Sequence, residues 1–283
     1  MKVYHLRIGD RAVTLVAGPA GWGESSPLPG YACDPVASRR AAEEAARDGW
    51  PPPVRDAVPV NALVDESPVE PGALVGFPAV KVKVGRADAR ADVDLVASVR
   101  DAVGPAVALR VDANGAWDVD AAVAVIARLA RYDLELVEQP VATLDDLARL
   151  RPRVDVPLAA DESVRTVGDA RRLASLRAAD AVVLKVQPLG GVRAALRIAD
   201  AAGVPALVTS MRETSVGIAA GLALAAALPE LPYACGLSAR MPGGDVVHEP
   251  LAPRHGRLRA RPVEPAPELL ARYEVTSGQE VRS

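Results

Sequence analysis

Three acids and three lysines stand where their types and spacing could do chemistry. Asp112, Glu138 and Asp161 each lie at the carboxyl end of a short run rich in Val, Leu and Ala. Acids meeting at one rim of a partly apolar site repel one another unless a hard cation neutralises them. Mg²⁺, with Mn²⁺ as a substitute, suits such an oxygen-donor set. Any one of these acids could instead cap the helix that follows it; three in the same register argue for a shared role. His5, His248 and His255 lie outside the region from 59 to 237 that carries the runs, which argues against a zinc site of the histidine type. Of the 33 basic residues only Lys2, Lys81, Lys83 and Lys185 are lysine. Arginine stays protonated, whereas a lysine near positive charge or out of water can become a base. Lys81 and Lys83, two apart in a strand, project to the same side, with Lys185 across from them. Like charges held close lower each other's pKa, although a buried ion-pair role stays open. With a cation on a substrate carboxylate, a lysine could remove the proton from the adjacent carbon and leave an enediolate.

The elements that must hold these residues follow from the pattern. From about residue 59, short β-rich runs alternate with Ala/Arg/Leu/Asp segments of helical period, which predicts βα units and a parallel sheet. Eight strands are expected, at 60–64, 79–84, 108–112, 134–138, 157–161, 181–186, 206–210 and 233–237. Helices are expected at 118–132, 166–177 and 192–202 among others, with aliphatics three and four apart. Ahead of them lie two strand-like runs, 3–8 and 12–16, a Gly/Pro/Ser-rich loop, Gly18 to Gly30, and a helix at 35–48. The fold expected is an α/β chain: a modified (β/α) TIM-type barrel, residues 57–250, behind a small N-terminal α+β capping domain, residues 1–56. The Trp50-Pro-Pro-Pro53 stretch reads as a linker. A Pro- and Arg-rich tail, 251–283, is expected to pack back toward the cap, with disorder from about Thr276.

Composition narrows the function. A net charge of −3 gives no general basic field, and 3% aromatic residues leave few base-stacking platforms, which argues against nucleic acid as a partner. No run approaches the roughly 20 apolar residues of a membrane span, and MKVYHLRIGDRAV lacks a signal-peptide core, so a cytoplasmic protein is expected. Cys33 and Cys235 form no metal-ligand or redox spacing and read as reduced packing residues. A small-molecule carboxylate is the partner expected, with the chain a monomer or homodimer.

Lys81-Val-Lys83, Arg110-Val-Asp112-Ala-Asn114-Gly-Ala-Trp117, Val137-Glu138-Gln139-Pro140, Ala160-Asp161-Glu162-Ser163 and Leu184-Lys185 stand in an order that resembles the muconate-lactonizing branch of the enolase superfamily, over most of the chain. Sites of that superfamily pair a Lys or His base with Mg²⁺. Within the branch, the short length, the abbreviated cap and the segment from Gly21 to Tyr31 look most like the o-succinylbenzoate synthase family. The resemblance implies Asp112, Glu138 and Asp161 as Mg²⁺ ligands, Lys83 as base and Lys185 facing it. The implied reaction is a syn dehydration of a succinyl-hydroxycyclohexadiene carboxylate, for which one lysine suffices. N-succinylamino acid racemases of the same branch use both lysines from opposite faces, and the motifs do not separate the two. Dipeptide epimerases carry an Asp-x-Asp motif near the eighth strand, absent from Cys235-Gly-Leu-Ser-Ala-Arg240. Muconate cycloisomerases usually have longer chains and fuller caps. A barrel turned to pure binding would have lost a ligand or a lysine, and none is missing.

Further substrate-binding candidates are Lys81, Arg110, Asn114, Thr209, Ser210, Met211 and Gly236. Lys81 would tune Lys83 and touch the carboxylate. Arg110 and Asn114 would orient the carboxylate or a ligand water, although Asn114-Gly115 also suits an ordinary turn. Glu162 could pair with a lysine behind the ligands. The hydroxyls and backbone N–H groups of Thr209, Ser210 and Met211 suit a distal carboxylate, and Gly236 permits close approach. The loop from Gly21 to Gly30 is a candidate cover over the substrate.

Overall fold

A computed structural model of the chain describes residues 1–65, 70–238, 241–261 and 263–275. It begins with an antiparallel meander, β1 (Lys2–Ile8), β2 (Arg11–Gly18) and β3 (Gly21–Ser25). Alternation along β1 and β2 buries Leu6, Ile8, Val13 and Leu15, which form a small core with Val216, Met241, Val246 and Leu270. Helix α1 (Pro35–Asp48) starts where the Asp34 carboxylate accepts from Val36 N–H, with Pro35 at a position that needs no donor. Its alanine face, Ala41, Ala42, Ala45 and Ala46, is buried and lies against β2 and β3. The segment expected as one long loop therefore contains a strand. Gly23 is there for closeness, not turning: a Cβ at that position would stand 2.0 Å from the Ala42 carbonyl oxygen. Its small size makes the strand look like a loop in sequence.

After β4 (Ala57–Pro59) come seven parallel strands: β5 (Ala62–Val64), β6 (Ala79–Lys83), β7 (Ala108–Asp112), β8 (Leu134–Glu138), β9 (Leu158–Ala160), β10 (Ala181–Leu184) and β11 (Ala206–Val208). Their spatial order is their chain order, with β5 at one edge and β11 at the other. They alternate with α2 (Ala89–Val103), α3 (Val119–Leu129), α4 (Leu144–Leu150), α5 (Val167–Leu176), the short α6 (Val186–Leu189), α7 (Val192–Ala202) and α8 (Ser215–Ala227). Asp118 and Thr166 cap α3 and α5, the latter in a reciprocal capping box with Asp169. The largest core fills the space between strands and helices, while Leu136, Ala159, Ala181, Val183 and Leu207 form a smaller cluster of their own. This is the expected modified barrel with its α+β cap. The tail adds β12 (Arg257–Arg259), antiparallel to β4, and α9 (Pro267–Tyr273), and returns to the cap where Val275 N–H donates to the His5 carbonyl. The disorder expected from Thr276 falls outside the described residues.

The expected eighth strand is much reduced. The 233–237 segment forms only two single bridges, Val60 with Cys235 and Thr209 with Gly236. The bridges nonetheless join the two edges of the sheet. Asn61 N–H donates to the Cys235 carbonyl and Gly236 N–H to that of Val208, and the barrel closes.

Candidate active site

Parallel strands place all their carboxyl ends at one rim, and register decides which ends are neighbours. Lys83 pairs with Asp112, and Asp112 with Glu138. Asp161 directly follows β9, and Lys185 directly follows β10. Asp112, Glu138 and Asp161 are all buried. Lys81 Nζ donates to Asp112 Oδ2 at 3.1 Å and to both Glu138 oxygens at 3.0 and 3.1 Å. Lys83 Nζ donates to Asp112 Oδ2 at 2.6 Å and to Asn114 Oδ1 at 2.7 Å. Across the mouth, Lys185 Nζ donates to Asp161 Oδ2.

Charge in this cluster is set by the contest between burial and neighbours. Burial alone would pull the Lys81 ammonium down, yet Glu138 and Asp112 outweigh it and hold the group above the ordinary lysine range. Lys185 behaves likewise, with Asp161 as its main support. The lowering expected from lysine–lysine proximity is thus not seen at Lys81, because carboxylates stand between the ammonium groups. Burial also works against ionised Asp112, but Lys81 and Lys83 hold its carboxyl well below the usual range. Glu138 goes the other way: burial, then the Asp112 charge, push it up to about 7.

Among the described residues no three acidic side chains converge within ligating distance of one point, since lysine ammonium groups stand among them. The donor set nevertheless fits a hard divalent cation. It offers buried carboxylate oxygens from three successive strand ends, without sulfur or imidazole, and behind them Glu162 Oε2 is buried with no hydrogen-bond partner. Asn114 sits at φ 46° in the Asn-Gly turn, its N–H donating to Asp112 Oδ1. Its side chain spans the mouth, accepting from Lys83 and donating to Glu162 Oε1 at 2.9 Å.

The other candidates separate. Arg110 is corrected: its fully buried guanidinium turns toward the amino ends of the strands, donating to Glu135 and to the Ala234 carbonyl and stacking over Tyr233. Residue 110 shares its strand face with Asp112, but one step deeper, where its long side chain finds those partners and not the rim. Met211 is also corrected, because its N–H is taken by Glu213 Oε2 at 2.7 Å and its side chain is buried. Thr209 is buried with its hydroxyl unpartnered, and Ser210 Oγ donates to the Gly236 carbonyl. A Cβ on Gly236 would come within 2.9 Å of Thr209 Cγ2 and 3.5 Å of Asn61 Oδ1, itself a buried atom without a partner.

Several site residues lie outside the candidates drawn from the sequence. Gln139, at φ 37°, accepts from Asp161 N–H at 2.7 Å and from Ser163 Oγ at 3.0 Å, so its amide fixes the loop that presents Asp161. Leu63 pairs with Lys81 in register and is 41% exposed, an apolar wall beside the lysines. From the cap, the Tyr31 hydroxyl lies 3.0 Å from both Lys185 Nζ and Asp161 Oδ1 and 2.5 Å from Arg165 Nη2. Tyr31 ends the segment from Gly21 that carries the family resemblance, which is its signal in the sequence, and the four-residue step from Asp161 is that of Arg165.

Comparison with known proteins identifies the family. Residues 69–265 match the family model described as enolase C-terminal domain-like. The chain is 55% identical to an o-succinylbenzoate synthase of Thermobifida fusca, over 95% of this chain and 89% of that protein. It is 46% identical to one of Mycolicibacterium smegmatis, over 96% and 86%. In fold it resembles the muconate lactonizing enzyme from Pseudomonas putida, with a TM-score of 0.83 at 22% identity, covering 97% of this chain and 98% of that one. It also resembles an isomerase from Streptomyces coelicolor, with a TM-score of 0.79 at 25% identity, covering 96% of each. Among the described residues no helix is long and apolar enough to cross a membrane.

Proposed function

The chain belongs to the o-succinylbenzoate synthase family of the enolase superfamily, and on that premise we propose that it dehydrates 2-succinyl-6-hydroxy-2,4-cyclohexadiene-1-carboxylate to 2-succinylbenzoate. The observation that carries this choice is the unequal setting of the two facing lysines. The Lys83 side chain is 31% exposed at the open mouth, whereas that of Lys185 is 8% exposed and clamped by Asp161 and Tyr31. A syn dehydration needs one accessible base and one enclosed positive charge, and the unequal exposure of this pair supports that division.

Lys83 takes the proton from the ring carbon bearing the carboxylate, and the electron pair of that C–H bond passes into an enediolate. Lys185 remains an ammonium and stabilises the negative charge. Lys83 then returns its proton to the hydroxyl leaving from the neighbouring carbon on the same face. Water departs and the ring becomes aromatic. Asp112, Glu138 and Asp161 would hold Mg²⁺, with Glu162 and Gln139 behind them. The ion would supply positive charge at the substrate carboxylate and lower the pKa of nearby ammonium groups. Lys81 and Asn114 keep the carboxylates and Lys83 in place, Leu63 lies against the ring, and Thr209, Ser210 and Gly236 leave room for the succinyl arm. For the division of the chain we propose a cap at 1–56, a catalytic barrel at 57–250 and a tail at 251–283 that returns to the cap, with the protein acting as a monomer or homodimer.

The test is absorbance-followed dehydration with Mg²⁺, beside Lys83→Ala and a racemisation assay on N-succinyl amino acids. Dehydration that falls by at least about 100-fold in the variant supports the assignment. Metal-dependent racemisation without dehydration would keep the site chemistry and overturn the substrate.

A further inference from the structure

The cap contributes more to the mouth than shelter. Residues 26–34 form a strap between β3 and α1, and both of its ends fasten to one barrel side chain. Gln187 Oε1 accepts from Ser26 N–H at 2.8 Å and from Ser38 Oγ, in the first turn of α1, at 2.7 Å. Gln187 lies two residues beyond Lys185, so the clasp and the lysine share one short rigid segment at the start of α6. From the middle of the strap Tyr31 reaches in. Its hydroxyl donates to Asp161 Oδ1 and accepts from Lys185 and Arg165, which uses its one donor and both acceptor positions. The hydroxyl end of its ring lies beside the same two cations, with the ring centroid 4.4 Å from Lys185 Nζ and 4.9 Å from the Arg165 guanidinium.

We propose that Tyr31 is a positioning residue for Lys185: it fixes the ammonium on one face of the mouth, so that seating the cap strap completes the electrostatic half of the site. Lys185 has three donors on a flexible stem. Asp161 alone gives it one anchor and leaves it free to swing. The hydroxyl supplies a second anchor at 3.0 Å, and two anchors define a direction. Arg165 holds the tyrosine from the far side through Nη2, while its Nη1 reaches back to Asp161. Lys83, by contrast, is held from the barrel alone, by Asp112 and Asn114. The kinetic consequence rests on the dehydration proposed above; the positioning itself does not.

Scarcity of lysine makes a direct test possible. Tyr31→Phe and the unmodified protein are treated with limiting acetic anhydride, and acetylation at Lys185 and Lys83 is read by peptide mass spectrometry. Lys185 should react several-fold faster in the variant and Lys83 at an unchanged rate. In steady-state dehydration, Tyr31→Phe should lower kcat about 10-fold or more with KM within about 3-fold, because the group it positions acts after substrate has bound. The same substitution made on Lys185→Ala should cost nothing further. Unchanged Lys185 labelling overturns the proposal. So do losses that multiply in the double variant, or a calorimetric fall in Mg²⁺ affinity with Lys185 labelling unmoved, which would mean that Tyr31 acts through Asp161. If the unmodified protein fails to dehydrate the substrate, the assigned reaction falls, and the labelling still decides the role of Tyr31.

Discussion

Two places in this molecule bury carboxylates side by side, and they neutralise them differently. At the rim, Asp112, Glu138 and Asp161 are met by the ammonium groups of Lys81, Lys83 and Lys185. Beneath the cap, Glu24 and Glu213 are met almost entirely by dipoles. Glu24 accepts from Ser26 Oγ, from the hydroxyl and N–H of Thr214, and from Gly217 N–H at the start of α8. Glu213 accepts from Met211 N–H and from the Gln187 amide. The nearby Arg11 guanidinium donates to the carbonyls of Ser26 and Met211 instead. Ammonium groups can let go of a carboxylate when a metal or substrate arrives, and can move protons. Fixed N–H groups at a helix start cannot. The rim is built to exchange partners and the second pair to keep them.

Substitution should separate the two most sharply in activity. Asp161→Asn, which removes one charge from the proposed ligand set, should lower Mg²⁺-dependent turnover by about 100-fold or more and weaken Mg²⁺ binding seen by calorimetry. Retention of both would break the contrast. Glu24→Ala should act on folding instead, because it leaves several donors at the start of α8 without an acceptor. A loss of about 2–4 kcal/mol in urea denaturation is expected, with kcat close to unchanged once the protein is folded.

A smaller effect concerns pH. Burial, then the Glu24 charge, push Glu213 up to about 7 from an ordinary 4.5. A raised carboxyl pKa favours the protonated folded form. The corresponding stability is fully present below about 4.5, the unfolded value, and is lost as pH rises through about 7. Glu213→Gln should flatten that decline and gain about 1–3 kcal/mol at pH 8, read from denaturation midpoints across the range. A decline of equal slope in the variant would assign the dependence elsewhere. The smallest change expected is Gly236→Ala. The added methyl presses on Thr209 and should cost about 1–2 kcal/mol of stability. If the succinyl arm lies there, KM should rise proportionally more than the melting temperature falls; an unmoved KM would place the arm elsewhere.

What the sequence reveals follows from how local the cause is. The βα alternation and the acids closing successive strands are local patterns, so Asp112, Glu138, Asp161 and both facing lysines are legible from spacing. Strand β3 is not, because Gly23 serves a neighbouring helix whose approach no local pattern records. The direction of Arg110 is hidden for a related reason: alternation assigns its face, but the partners that draw it down the barrel, Glu135 and Ala234, belong to other strands. Tyr31 reaches Lys185 across 154 residues, and the segment that ends in it does not announce that contact.

The closing segment at 233–237 gives the barrel a seam. It joins the beginning of the strand sequence to its end through two isolated bridges, a long loop closed by few paired residues. Such a joint forms late, since the seven-stranded sheet must already be curled before its edges can meet. The same thrift makes it the first place to come apart, so the amide hydrogens of Asn61 and Gly236 should be early to trade with solvent deuterium while those within the sheet still resist.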